Sequence, residues 1–309
     1  MEAINKTIRV FAPASSANLG CGFDVMGMAL DGIGDVLRIA ISEGDGLTIR
    51  NASAAELPED IEKNVITPAV RAFMTAAGKK ACLEIVVEKK IRPGSGIGSS
   101  AASSAAAVFG LNELYGRPFP LPVPFAMEGE KLISGTAHAD NSAPAVMGGI
   151  VLIRGYQPLD MVRLPVPDSF CFSVIHPHIV VSTKAARDVL RKEIPMREAV
   201  TQWGNVGGLV AGIMTGDLPL IGRSMRDVVA EPYRKGFIPG YDDLKSACLA
   251  AGALCVNISG SGPSVFALSD SIEKAQQVGK AMKKHFTALR IANDLYVSHI
   301  PSVGARVME

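Results

Sequence analysis

The sequence predicts an α+β chain of two domains, on three observations. Strand-like segments come in runs separated by helical ones, without the strict βαβ alternation of a doubly wound sheet. The C-terminal part reads strand, helices, strand, strand, helix, strand, an order that suits a ferredoxin-like split βαβ. The length, 309 residues, fits two domains of about 150 better than one. The crossing is expected within Gly155–Pro167, dividing residues 1–160 from 161–309.

Composition narrows the class. With 48% hydrophobic, 20% charged and only 6% aromatic residues, the chain reads as globular and rich in small side chains. A net charge of +1 argues against a nucleic-acid or membrane surface. There is no run of about 18 uncharged apolar residues, and the opening MEAINKTIRVFAP lacks the apolar core of a signal peptide. A cytoplasmic location is therefore expected. Cysteines 21, 82, 171, 248 and 255 show no paired spacing and are odd in number, which predicts reduced, buried thiols. The five scattered histidines form no zinc-type cluster.

In chain order, Lys6–Ala12 reads as a first strand ended by Pro13. SSANLGCGFDVMG (Ser15–Gly27) follows, where Gly20 and Gly22 permit a tight path and Asn18 and Asp24 place an amide and a carboxylate beside it. These two either serve a site or cap their own turns. Strands are expected at Asp35–Ser42 and Gly46–Arg50, a polar loop at Leu57–Asn64, and a helix over Val65–Ala77 closed by Gly78. CLEIVVEKK (Cys82–Lys90) is a β-branched, alternating strand.

That strand feeds IRPGSGIGSSAASSAAAV (Ile91–Val108). Pro93, Gly94, Ser95, Gly96 and Gly98 make a loop, and a helix begins near Ser99. Strand, glycine loop and helix start together present unpaired N–H groups and a helix dipole to an anion. Ser99 and Ser100 add hydroxyls suited to phosphate or Mg²⁺. The spacing excludes a Walker A loop, which needs a lysine after the glycines, and the Rossmann G-x-G-x-x-G. A tight turn before an Ala-rich packed helix is the alternative reading.

Arg117–Phe125 holds four prolines and reads as a connector, and Glu128–Ser134 as helix. AHADNSAPAVMGG (Ala137–Gly149) gathers His138, Asp140 and Asn141 among small residues, with Pro144 limiting any helix there. The trio is either a site or a set of satisfied core polar groups. Strands are expected at Ile150–Arg154 and Ser169–His176. Helices are expected at Ser182–Ile194 (with Arg187), Glu198–Thr215 and Ile221–Val229. Glu231–Tyr241 reads as a loop in which an exposed Arg234 needs no function. The chain then reads as helix Asp242–Ala251, strand Leu254–Ile258, a second glycine loop SGSGPSVFAL into a strand, helix Ile272–Phe286 and strand Leu289–Ile300.

Three segments, APASSANLGCGFD, PGSGIGSSAASSA and NISGSGPSVFAL, resemble in order and separation the three motifs of the GHMP kinases, with Ile97 where leucine is usual. SANLGCGFD, GTAHADNSAPAVMGG, STKAAR and EPYRKGFIPGY make the fuller pattern similar to the homoserine kinases of that superfamily. The resemblance implies an N-terminal domain like the second domain of ribosomal protein S5, a ferredoxin-like C-terminal domain, and ATP between them. It implies that Pro93, Gly94, Ser95, Gly96, Ile97, Gly98, Ser99, Ser100 and Ala101 wrap the nucleotide phosphates, with Asn64 and Val65 near the adenine. Ser100 and Glu130 would meet Mg²⁺ as hard oxygen ligands. Ser259–Pro263 would brace the phosphate loop.

The implied substrate is L-homoserine, phosphorylated on its side-chain hydroxyl in threonine biosynthesis, and a homodimer is implied as partner. Arg187 and Arg234 offer planar forks to a carboxylate. Asp24, with Asn18 beside it, would accept the ammonium, while His138, Asn141 and Thr183 would complete the substrate side. Asn141 stands where several GHMP kinases carry an aspartate base. An amide takes no proton at neutral pH, so the expectation is a transfer without a strong side-chain base, with Asp140 the rival. The other readings are a GHMP kinase for a different alcohol and a non-catalytic ligand-binding relative.

Overall fold

The computed structural model describes residues 5–53 and 57–308. Residues 1–4, the front of the stretch read above for a leader, lie outside the described residues. β1 (Lys6–Ala17) and β2 (Met26–Ser42) form a long antiparallel pair from Lys6↔Ile41 to Ala17↔Gly27. The sequence expectation ends the first strand at Pro13. Instead the register shifts between Pro13 and Ala14 and the strand runs on, because a missing N–H is tolerated where the ladder is already broken.

Around this pair the first sheet runs β11 (Arg306–Val307), β1, β2, β4 (Cys82–Glu88), β3 (Gly46–Asn51), with β3 and β4 parallel. The early part of β2 also pairs with β5 (Ile150–Tyr156), and β5 with β6 (Leu159–Leu164). The stretch expected to be only a crossing is thus half of a hairpin. The second sheet is antiparallel, ordered β10 (Asn293–His299), β7 (Cys171–Pro177), β9 (Val265–Ser269), β8 (Cys255–Ile258). Within this half that order is 4-1-3-2, the ferredoxin-like arrangement the sequence predicts.

On the first sheet lie α1 (Ile66–Ala77), α2 (Ser99–Leu114), α3 (Val123–Ser134) and α4 (Ala139–Met147). α2 is central, with twelve of its sixteen residues buried. Its alanines and serines let it approach closely on every side. At Gly110 even a Cβ would come within 2.6 Å of Ile39 Cδ1. α3 takes in the last three residues of the expected connector, since a proline in the first turn gives up only an N–H that the helix leaves unpaired anyway. α4 carries Pro144 inside it, which deprives the Asp140 carbonyl of its intrahelical donor. That carbonyl instead lies against Gly27 of β2, where a Cβ would sit 1.7 Å from the oxygen.

The second half adds α5 (Thr183–Asp188), α6 (Met196–Thr215), α7 (Leu218–Ser224), α8 (Glu231–Arg234), α9 (Tyr241–Ala250) and α10 (Ile272–Ala288). A cluster including Leu19, Met26 and Ile97 from the first half and Phe172, Phe266 and Ile213 from the second joins the two. Among the described residues no helix is long and apolar enough to cross a membrane. All five cysteines are free thiols and four are buried.

Candidate active site

A cleft of about 270 Å³ opens between the halves. Gly94, Gly96 and Gly98 all take positive φ, between 67° and 80°, bending the chain so that the first turn of α2 faces the cleft. Two of these glycines are forced by contact as well. A Cβ on Gly96 would lie 2.5 Å from the Gly262 carbonyl, and one on Gly98 would lie 2.0 Å from Ser15 Oγ. The second glycine loop braces the first as expected: the Ser259 hydroxyl donates to the Gly96 carbonyl (2.7 Å) and the Ser264 hydroxyl to the Ser95 carbonyl (2.6 Å). Pro93, Ser99 and Ser100 line the cleft with the glycines. The side chains of Ile97 and Ala101 are buried in the core instead, and Ser95 is buried behind the loop.

Beneath the loop lies an ion pair the sequence reading missed. Lys89 Nζ meets Asp35 Oδ2 at 2.6 Å, with both side chains essentially inaccessible. The ammonium also donates to the Ser99 carbonyl and the Ser103 hydroxyl, each at 2.9 Å. Asp35 Oδ1 accepts from the Lys90 and Ile91 amides. Breaking such a satisfied buried pair costs about 3–5 kcal/mol, so the start of α2 is held firmly. Lys89 also lines the cleft and adds positive charge to the helix terminus. A lysine at the end of a strand gives no local signal of this; its partner is 54 positions away.

On the same side the Ser100 hydroxyl donates to Glu130 of α3. Burial pushes the Glu130 carboxyl upward, while the Ser100 bond and the Lys89 charge pull it back. A hydroxyl and a buried carboxylate side by side, with a cationic lysine near, suit a divalent cation that takes its remaining oxygens from phosphates and water.

The opposite wall is charged. Arg187 of α5 holds Asp24 with both guanidinium nitrogens, at 3.0–3.1 Å. Arg187 Nη2 also lies 3.1 Å from His138 Nε2. That ring nitrogen is 2.6 Å from Thr136 Oγ1, and Nδ1 faces Asp24 at 3.8 Å. The imidazole is therefore neutral with its proton on Nδ1. Its pKa is depressed, chiefly by burial. Arg234 corrects a sequence expectation: it is 5% exposed rather than displayed on a loop. α8 and the 3₁₀ turn after it fold the segment inward, where Arg234 donates to the Ala186 and Gly260 carbonyls at 2.9 Å. Phe23 lies against both guanidinium groups.

Asn18 and Asp24 both sit at left-handed φ, 74° and 59°, which short polar side chains tolerate. Asn18 is occupied in building the site: its Oδ1 accepts from the Asp24 amide and its Nδ2 donates to Gly260. Tyr156, also missed, donates to the Asp24 carbonyl at 2.7 Å and accepts from the Ala139 amide, tying the loop to α4. The Asn141 amide oxygen accepts from Ser15 at 2.9 Å, which presents its NH₂ group as donor. Asp140 is 4% exposed, and burial, helped by Asp24 and Glu130, pushes its carboxyl up to about 8.

Thr183, at the start of α5, completes this wall. Asn64 and Val65 also line the cleft, together with the apolar Leu57, Pro58 and Ile133. Asn64 Oδ1 caps the Ile66 amide, fixing the start of α1. Nearly every residue singled out from the sequence thus meets in one cleft.

Residues 64–149 match the family model for the GHMP kinases N terminal domain, and residues 209–288 that for GHMP kinases C terminal. The homoserine kinase of Chlorobium phaeovibrioides is 46% identical over 98% of this chain and 100% of its own. That of Chlorobaculum tepidum is 43% identical, with 98% of each chain covered. The crystal structure of homoserine kinase from Cytophaga hutchinsonii superposes with a TM-score of 0.94 at 49% identity, covering 100% of this chain and 99% of that one. L. major mevalonate kinase, solved in complex with R-mevalonate, shares the fold at a TM-score of 0.72 and 18% identity, over 97% of this chain and 98% of that one. The chain belongs to the GHMP kinases and, within them, to the homoserine kinases.

Proposed function

We propose that this chain transfers the γ-phosphoryl group of ATP to the side-chain hydroxyl of L-homoserine, forming O-phospho-L-homoserine and ADP in threonine biosynthesis. The observation that carries the reading is the division of the cleft: a backbone anion cradle on one wall, and Asp24 flanked by Arg187 and Arg234 on the other. Homoserine carries an ammonium and a carboxylate next to each other, which is what that second wall matches. Sugars and mevalonate lack the ammonium and bring no positive charge to meet the Asp24 carboxylate.

In this reading the nucleotide base occupies the slot beside Asn64 and Val65, and its phosphates lie on the amides of the Pro93–Ala101 loop. Mg²⁺, when bound, would be held by Ser100 and Glu130 and would neutralise charge on the phosphates. Lys89 and the α2 terminus add fixed positive potential behind them. The Arg187–Asp24 pair opens around the substrate, Asp24 taking the ammonium while the arginines take the carboxylate. Asn141 orients the attacking hydroxyl through its NH₂ group.

No side chain here is placed as a strong base. Asn141 accepts no proton, Asp140 holds its own at neutral pH, and the His138 Nε2 lone pair is spent on its neighbours. The hydroxyl proton passes to the transferred phosphoryl oxygens or to water, and the rate comes from positioning and charge neutralisation. The test is steady-state ADP release with L-homoserine, mevalonate, galactose and shikimate as acceptors. Turnover is expected with homoserine alone. Turnover with another alcohol and none with homoserine would assign a different kinase, and ATP binding without ADP release from any acceptor a non-catalytic relative.

A further inference from the structure

Behind the Arg234 side of the cleft stands Asp227, in the turn between α7 and α8. Its Oδ1 accepts from the Val229 amide at 2.8 Å, the Ala230 amide at 3.0 Å and Gln202 Nε2 at 3.1 Å. Its Oδ2 accepts from the Ala230 amide at 3.1 Å and the Glu231 amide at 2.8 Å. An ordinary cap satisfies a single amide. Here one carboxylate gathers the whole entry to α8 and ties it to α6 through Gln202.

α8 needs that support. It is four residues long, too short to hold its place by its own hydrogen bonds. Arg234 is the residue it delivers. Nε and Nη1 of Arg234 are spent on the Ala186 and Gly260 carbonyls, and Nη2 has no bond among the described residues. Asp227 and Arg234 also line one cavity of about 10 Å³, room for a single water at most. Burial works against the Arg234 charge, while Asp24 and Asp227 help to sustain it.

The same node reaches the loop that carries Asp24. Gln202 Nε2 also donates to the Cys21 carbonyl at 2.6 Å, and Gln202 Oε1 accepts from the Val228 amide at 3.0 Å. One connected set of bonds therefore runs from the Asp24 loop through Gln202 and Asp227 to Arg234. It fixes the spacing between an acceptor for an ammonium and a fork for a carboxylate. An α-amino acid carries both groups on one carbon, so that spacing decides how well it fits. We infer that Asp227, held by Gln202, is a positioning residue: it sets Arg234 to take the carboxylate of an α-amino acid and so gives the site its preference for one. The inference rests on the reading of Arg234 as a carboxylate fork.

The probe is 3-aminopropan-1-ol, which keeps the ammonium, hydroxyl and carbon spacing of homoserine and lacks its carboxylate. Wild type is expected to prefer homoserine by about 10²-fold or more in kcat/KM, the scale of one or two charge-assisted hydrogen bonds. Asp227→Asn keeps the size of the side chain but turns an NH₂ group on backbone N–H groups, whichever way the amide lies. It is expected to cut that preference by about tenfold or more through a higher KM for homoserine, with KM for ATP and turnover of the amino alcohol within about twofold of wild type. In an Arg234→Lys background the same change is expected to move the preference by less than about twofold, because the residue it acts through is gone. Should Asp227→Asn fail to fold, Asp227→Ser, which keeps one accepting oxygen, is read in the same way. Equal losses on both acceptors would make Asp227 a structural cap. An unchanged preference, or an undiminished effect beside Arg234→Lys, would separate it from Arg234. Each of these overturns the inference while wild-type homoserine turnover stands. A wild type that phosphorylates neither acceptor fails the functional reading itself, and the inference with it.

Discussion

Glu130→Gln is expected to lower kcat for ADP formation by about 10²–10³-fold, the scale of losing one preorganised charge interaction in a closed site. The substitution keeps the shape of the side chain and its contact with Ser100, so the fold and the slot proposed for the base beside Val65 remain. The pH profile gives a second readout. Burial raises the Glu130 carboxyl above its ordinary range, and the ionised form is the active one. Wild-type kcat therefore falls as pH drops through that raised value, beginning at a higher pH than a solvated carboxylate would allow, and the variant lacks this acid limb. A variant within several-fold of wild type would remove Glu130 from the account.

The second large effect concerns Asp24 and Arg187. Each single change, Asp24→Asn or Arg187→Leu, is expected to reduce kcat/KM for homoserine about 10²-fold, the equivalent of losing one or two charge-assisted hydrogen bonds, with KM for ATP little changed. Because the two side chains pair with each other at 3.0–3.1 Å, each single variant also leaves its partner uncompensated. The double variant is therefore expected to lose much less than the product of the singles, a coupling of about 0.5–3 kcal/mol in a double-mutant cycle. Strict additivity would mean that the pair does not act as one unit on the substrate.

The glycine-loop wall of the cleft was legible because its geometry is local. Pro93–Ala101 needs glycines, serines and a helix start in one stretch, and the structure builds that cradle where the spacing puts it. The ferredoxin-like order was legible for a similar reason, since strand and helix periods alternate cleanly after Cys171. Features that depend on distant partners were not. Lys89 looks like any lysine at a strand end until Asp35 is brought beneath it, and Arg234 looks like a loop arginine until α8 turns it toward Ala186 and Gly260. Besides the prolines that open α3, proline misled in two opposite settings. At Pro13 a bulge absorbs the missing N–H, and at Pro144 the freed Asp140 carbonyl finds a place against Gly27. The short β11 had no sequence signal at all, because two exposed residues become a strand only by meeting β1.

Asp140 is where the central claim, transfer without a side-chain base, is most exposed to test. Its carboxyl, pushed up to about 8 by burial, keeps its proton in the folded chain while the unfolded chain loses it near the usual value of about 4. Stability contributed by this group therefore falls as pH rises from about 4 to about 8, and Asp140→Asn escapes that loss. The variant should gain on wild type across that window, by an amount on the order of 1–5 kcal/mol, which shows that the substitution reports on a neutral acid. The deciding measurement is the single-turnover rate of Asp140→Asn with saturating ATP and homoserine at pH 7. A rate within about tenfold of wild type is the predicted result; a loss of several orders of magnitude at unchanged homoserine affinity would make Asp140 the base and contradict the account.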